Sequence, residues 1–259
     1  MTRILVERAD FRAALKSVLP HAYTGDKLPA LNRIRLDVGP VNVTITATDH
    51  YTAGLAIASV HAHLDTGPGR EETGLPWIAA LDIYPSDVKD LLKIFPAKKD
   101  KRGHPKHILR IEADDNHVTV IDSDGMIDGK RLSARRLEDG ELFSDIEELI
   151  ARHYRADTVL VGPITQSGER HARFIHAEKA YGTDGLRVRT TSASRAELVS
   201  CGESFLGLLF PIPVTDEDAQ RVKEWNEAWD RRLPRNSGFD LKTATGFYSV
   251  SDLADKEKP

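Results

Sequence analysis

His61 and His63 would fall on one face of a strand, the spacing at which two imidazoles can share a metal ion. Asp49 and His50 set a carboxylate beside a base. Neither pair has the company that catalysis needs. The chain carries no nucleophile elbow, no phosphate loop and no HExxH run. These histidines therefore read as surface-loop or strand-exposed side chains, no cofactor is expected, and the chain is not expected to be an enzyme. Cys201 is the single cysteine, which excludes an intramolecular disulfide and a thiolate zinc site. It reads as a small buried strand residue.

A second kind of chemistry is electrostatic. Lys89, Lys93, Lys98, Lys99, Lys101, Arg102, Lys106 and Arg110 crowd one stretch, opposed only by Asp90 and Asp100. The bland reading is a solvated helix end and loop. The formal net charge is −4 and the isoelectric point about 6.2. Open basic surfaces for nucleic acid usually belong to chains that are basic overall. Contact with DNA would therefore require positive charge concentrated on one face. With 40% hydrophobic and 29% charged residues among 259, the composition is that of an ordinary soluble protein. No run approaches the ~18 apolar residues of a membrane helix. The N-terminus lacks a charged-then-apolar leader, so a cytoplasmic protein is expected.

The elements that must position these residues come in a repeat: a short strand, an amphipathic helix, then alternating strands. The first unit opens with Ile4-Leu5-Val6, with Asp10 as expected N-cap and Phe11, Ala14, Leu15, Val18 and Leu19 as a buried helix face. Ile34, Leu36 and Val38, then Val43, Ile45 and Ala47, then Leu55 and Ile57 follow with the period two of half-buried antiparallel strands. The second unit starts with a strand over 77–83. Ser86 is the expected N-cap of a helix bearing Val88, Leu91, Leu92 and Phe95, and strands follow around Leu109, Val118 and Leu132. Residues 145–154 read as a connecting short helix. The third unit begins with a strand over 158–161, then a helix over 166–180 with Ala172, Phe174 and Ile175 as apolar positions. Strands follow at Leu186 to Arg189, 197–201 and 205–210. Residues 216–233 predict a final helix with Val222, Trp225 and Trp229 on one packing stripe, followed by a loose tail.

The order of these elements resembles the bacterial sliding clamp, the beta subunit of DNA polymerase III, of which phages carry relatives. So do Ala47-Thr48-Asp49, the stretch Leu137-Glu138-Asp139-Gly140-Glu141-Leu142-Phe143 and the ending Leu209-Phe210-Pro211-Ile212. Residues 1–137 resemble that family's middle domain (two repeats), 138–157 a connector and 158–214 the second half of its last domain. Residues 215–259 add a C-terminal helix and tail. The resemblance implies an α+β protein of the DNA-clamp fold, with antiparallel sheets and helices packed on one face. It implies a processivity factor that encircles or contacts duplex DNA. Arg12 and Lys16 on the first helix would then meet phosphates. So would Lys89, Lys93, Lys98 and Lys99 on or after the second, and Arg170, Arg173 and Lys179 on the third.

The resemblance also implies an apolar groove for short peptides of a DNA polymerase and other proteins with clamp-binding motifs. Thr48, Leu55, Leu149, Leu208, Phe210, Pro211 and Ile212 match its lining. A homo-oligomer is expected, no membrane is, and a clamp loader is allowed as a partner. An alternative stays open: a clamp-like adaptor that closes no ring and recruits or sequesters clamp-binding proteins.

Overall fold

Ile4 and Val6 alternate with half-buried neighbours in strand β1 (Thr2–Glu7) and are fully buried. Helix α1 (Arg8–Val18) follows without a loop and buries Phe11, Ala14, Leu15 and Val18 at helical spacing. The computed structural model describes residues 2–64, 79–97, 107–123, 127–138, 145–159, 164–183 and 185–233. The helix starts earlier than Asp10 predicts, because Arg8 N–H donates to the His107 carbonyl and Glu7 is the extended N-cap. Asp10 sits instead in the first turn and accepts from the Ser59 N–H at 2.8 Å.

Strands β2 (Ile34–Val38), β3 (Asn42–Thr48) and β4 (Thr52–His63) complete the first unit. The second comprises β5 (Ala79–Ile83), α2 (Pro85–Ile94), β6 (Ile108–Ala113), β7 (His117–Asp122) and β8 (Arg131–Arg135). Here too the start differs from expectation. Tyr84 is the N-cap and Pro85 the first helical residue, a position that suits its fixed φ and missing N–H, so Ser86 lies inside the first turn.

The strands run β5-β2-β3-β4-β1-β6-β7-β8, each neighbour antiparallel. A bridge between Asp82 of β5 and Leu137 joins the two ends, so the sheet is nearly a barrel. The Asp82 carboxylate, 2% exposed, accepts from Arg33 at 2.8 Å and from two Arg35 nitrogens at 2.9 Å. One buried anion and two guanidinium groups thus tie β5 to β2, and Arg33 reaches across the seam to the Glu138 carbonyl at 3.1 Å.

Helix α3 (Ile146–Arg155), capped by Asp145, turns Ile146, Ile150 and His153 inward. The third unit holds α4 (Gly168–Ala172), α5 (Ile175–Tyr181), β9 (Arg187–Thr190), β10 (Glu197–Cys201) and β11 (Phe205–Leu209). The single helix expected over 166–180 is therefore two. The turn at Arg173 and Phe174 buries Phe174 completely, whereas Ala172 and Ile175 are exposed. Of the strand expected over 158–161, Thr158 bridges Thr191, and residues 160–161 lie outside the described residues, as do 77–78.

β4 joins the units. Its first half, Thr52–Ala56, pairs with β11, and its second half pairs with β1. α1 meanwhile touches α2 and α5, so the helices of all three units gather together. Met1–Ile212 form one compact unit and Pro213–Pro259 another. The latter contains α6 (Asp216–Arg232), opened by a reciprocal Thr215–Asp218 capping box. Trp225 and Trp229, expected as packing anchors, are 57% and 56% exposed.

Candidate nucleic-acid interface and peptide groove

A cleft of about 580 Å³ lies between α1, the turn after it, the start of α2, and α5. Lys16 comes from α1, Lys89 from α2, and His176 and Lys179 from α5, with Arg173 at the α4–α5 turn. No acidic side chain lines it among the described residues. Three helices of three sequence units thus bring three of the expected cations to one surface, and the α4–α5 turn brings a fourth. Each helix buries its apolar stripe against the sheet, which leaves its lysines on the outer side.

The other expected cations are placed differently. Arg12 is only 6% exposed, and its guanidinium donates to the carbonyls of Leu92, at 2.7 Å, and Phe95. It satisfies the last carbonyls of α2 and is not free to meet DNA; this corrects the expectation. Burial, then repulsion from Arg8, lowers its pKa. Lys93 is exposed and pairs with Asp90 at 2.9 Å. Arg170 stacks over Tyr51, 3.3 Å from the ring centre. Lys98 and Lys99 lie outside the described residues.

Arg173 also reaches back. It donates to the Asp49 carboxylate at 2.5 Å and to Thr52 Oγ1 at 3.1 Å. Asp49 accepts further bonds from the N–H groups of Tyr51 and Thr52 and from the Thr52 hydroxyl. Burial opposes its charge, yet the Thr52 N–H, Arg173 and the Tyr51 N–H together hold its carboxyl below the usual range. His50, at φ 77°, makes the turn that points these groups at one oxygen pair.

Beneath this ion pair lies a contact that sequence reading missed. Gly54 of β4 stands opposite Gly207 of β11. A Cβ on Gly54 would come within 2.7 Å of the His21 ring, and one on Gly207 would strike Phe174. The two glycines leave the slot that His21 and Phe174 fill, ring centres 4.8 Å apart. Glycine inside a strand pattern was the available signal. Burial, with the charge of Arg173 next in weight, pushes the His21 pKa down to about 3.

The expected groove residues meet a different fate. Leu55 and Leu208 are buried with Leu31, Ala53, Leu198, Ile146 and Ile150, and Leu149 and Phe210 pack against that cluster. α3 therefore covers the deep apolar positions Leu55 and Leu208, while Leu149 and Phe210 stay only partly buried. The reason is the α3 stripe itself: Ile146 and Ile150, one turn apart, bury 98% and 99% of their surface there. Thr48 donates to the Thr52 carbonyl at 2.7 Å within its own turn. Pro211 is half-buried, while Ile212 is 38% exposed and donates its N–H to the Thr165 carbonyl. His63 contacts the Pro40 carbonyl, and no cluster of three His, Cys, Asp or Glu suited to a metal ion occurs among the described residues. No described helix is long and apolar enough to cross a membrane.

A nearly closed antiparallel sheet, built twice from strand-helix-strands and extended by a third copy with the helices gathered together, defines the DNA-clamp fold. No protein-family model and no curated protein matches the sequence. Solved structures do. The chain is similar to the DNA polymerase III beta subunit of Thermotoga maritima (TM-score 0.58, 12% identity, 89% of this chain and 73% of that one). It is also similar to the DNA polymerase sliding clamp of Bacillus subtilis (TM-score 0.56, 14% identity, 82% and 64%). The sliding clamp of Pseudomonas aeruginosa gives a TM-score of 0.54 at 13% identity, over 91% and 69%. The chain thus has the sliding-clamp fold, and it spans less than two thirds of the Bacillus clamp.

Proposed function

We infer that this chain acts as a sliding-clamp-like processivity factor for a DNA polymerase, a non-catalytic protein held on duplex DNA by loose phosphate contacts. The observation that supports this is the cleft where Lys16, Lys89 and Lys179 converge from three units, with no acid among its described lining and Arg173, paired with Asp49, at its wall. A net charge of −4 then matters less, because a clamp needs positive charge only on the face turned to DNA. Such contacts read no bases, so affinity follows salt rather than sequence. Self-association would supply the rest of a ring.

The adaptor reading has one observation in its favour. Among the described residues the third unit has no second half, whereas the first two units complete each other's sheet. One experiment separates the two. Purified protein is loaded on nicked circular DNA and on the same DNA linearised. A clamp stays on the circle and runs off the linear form. Equal loss from both, from a particle of monomer mass in light scattering, favours the adaptor. Replacing Lys16, Lys89 and Lys179 by Ala should reduce the slope of log K against log salt by about 0.9 per lost phosphate contact. An unchanged slope removes the cleft from the interface.

A further inference from the structure

α3 has a second flank that the clamp reading leaves unused. Leu149 and His153 lie toward Phe210, whose ring meets that of His153 at 6.0 Å. Glu147, Ala151 and Tyr154, at i, i+4 and i+7, share a separate face of the helix. Along it runs a groove of about 530 Å³ between α3 and strands β3, β4 and β11.

Its floor is apolar. Leu55 and Leu206 pair across β4 and β11, and Ile57 pairs with Thr44 of β3, so these residues share one face of the sheet. α3 covers Leu55 to 8% exposure through Ile150, but Ile57 and Leu206 remain only half-buried. Tyr154 stands 59% exposed at the wall.

The rim is acidic. Asp145, Glu147 and Glu148 all line the groove. Asp37 of the neighbouring β2 faces the same charges: burial, then repulsion from Glu147, pushes its carboxyl up to about 7. Burial and Asp145 likewise raise the Glu147 carboxyl, although Thr44 bonds to it and Arg35 is near. Arg35 is committed to Asp82 at 2.9 Å. Arg155 is the one cation in the described lining, and Arg152 lies 3.6 Å from Glu148 on the solvent side. Three carboxylates gathered on one rim, with Asp37 beside them, favour an incoming cation. A bare divalent ion does not fit, since no described trio of ligands is close enough to hold one.

We propose that this groove docks a short segment of a partner protein in which Lys or Arg residues flank one or two apolar anchors. The anchors would cover Ile57 and Leu206, and the basic side chains would meet Asp145, Glu147 and Glu148. Charge complementarity sets the sign of the partner, and the half-open apolar floor supplies its affinity. The site does not depend on DNA encirclement and stands or falls separately from it.

The test is fluorescence anisotropy on the full chain with two labelled peptides. One carries Leu and Phe flanked by Lys and Arg; the other has Glu in place of each Lys and Arg. The basic peptide is expected to bind, the acidic one not, and binding should weaken as salt rises. The double variant Glu147→Lys with Glu148→Lys should lower affinity at least about tenfold. Leu206→Gln should lower it too, whereas Leu149→Gln on the other flank should not. Circular dichroism of each variant confirms that the fold is kept. No binding of the basic peptide at about 1 mM, equal binding of the acidic one, or indifference to the Glu147 and Glu148 reversal overturns the proposal.

Discussion

His21 is sealed between Phe174 and Phe205, and neither ring nitrogen has a hydrogen-bond partner among the described residues. A charge there would be desolvated, which is why the folded pKa lies near 3 against 6.5 for the free side chain. The unfolded chain therefore takes up the proton first as pH falls. The stability carried by neutral His21 is full above 6.5 and is lost toward pH 3, by up to about 1.4 kcal/mol per pH unit. Asp37, raised to about 7, acts in the opposite sense and favours the fold as pH drops below 7. The two are separated by comparing variants. His21→Phe keeps the ring contacts without the titration, so its urea midpoint should gain on the native protein between pH 7 and pH 4.5. A constant difference between the two would mean that His21 is not buried neutral. Gly54→Ala tests the same slot by volume: the added methyl meets the His21 ring and should cost about 1–3 kcal/mol. In a His21→Ala background that cost should shrink, and an additive double-mutant cycle would show that the ring is not the obstacle.

At the scale of the elements, the seam where β5 meets β2 and Leu137 rests on Asp82. Asp82→Asn keeps the shape and removes the charge that two poorly exposed guanidinium groups share. Removing one partner of a buried ionic set typically costs about 3–5 kcal/mol, and a urea titration should find a loss of that order. A loss below about 1 kcal/mol would mean that water or other acids already serve Arg33 and Arg35. Strands such as β2, β3, β6 and β7 were legible because alternation is a local property: Ile34, Leu36 and Val38 need only one wet face and one dry face. The stripes of α1 and α2 were legible for the same reason. Pairing is not local. Nothing around Thr52 to His63 says that one strand serves three partners, β3, β1 and β11, or that α3 will fold over Leu55 and Leu208. The basic cleft was half legible: lysines on the outer side of a helix follow from its apolar stripe. Arg12 sits on the same helix but was lost to the carbonyl ends of α2, a neighbour that periodicity cannot name.

At the scale of the molecule, the fusion of the third unit onto β4 decides how Met1–Ile212 unfold. β11 pairs with Thr52–Ala56, the Asp49–Arg173 ion pair ties the β3–β4 turn to the α4–α5 turn, and α1 packs on α5. The cluster that holds Phe11 and Leu15 also includes Phe174, Val199 and Phe205, so one core spans all three units. A chain of separable modules would open its last unit first, at a fraction of the global free energy. This arrangement predicts otherwise, because losing β9–β11 would strip one of two edge partners from half of β4 and expose the rings around His21. Native-state hydrogen exchange should give the slow amides of β10 and β11 the same opening free energy as those of β1 and β6. Exchange in β10 and β11 that is easier by more than about 2 kcal/mol would make the third unit a detachable arm. The shared cleft of Lys16, Lys89 and Lys179 would then be one conformation among several, and cations drawn from three helices could not act on DNA as one rigid surface.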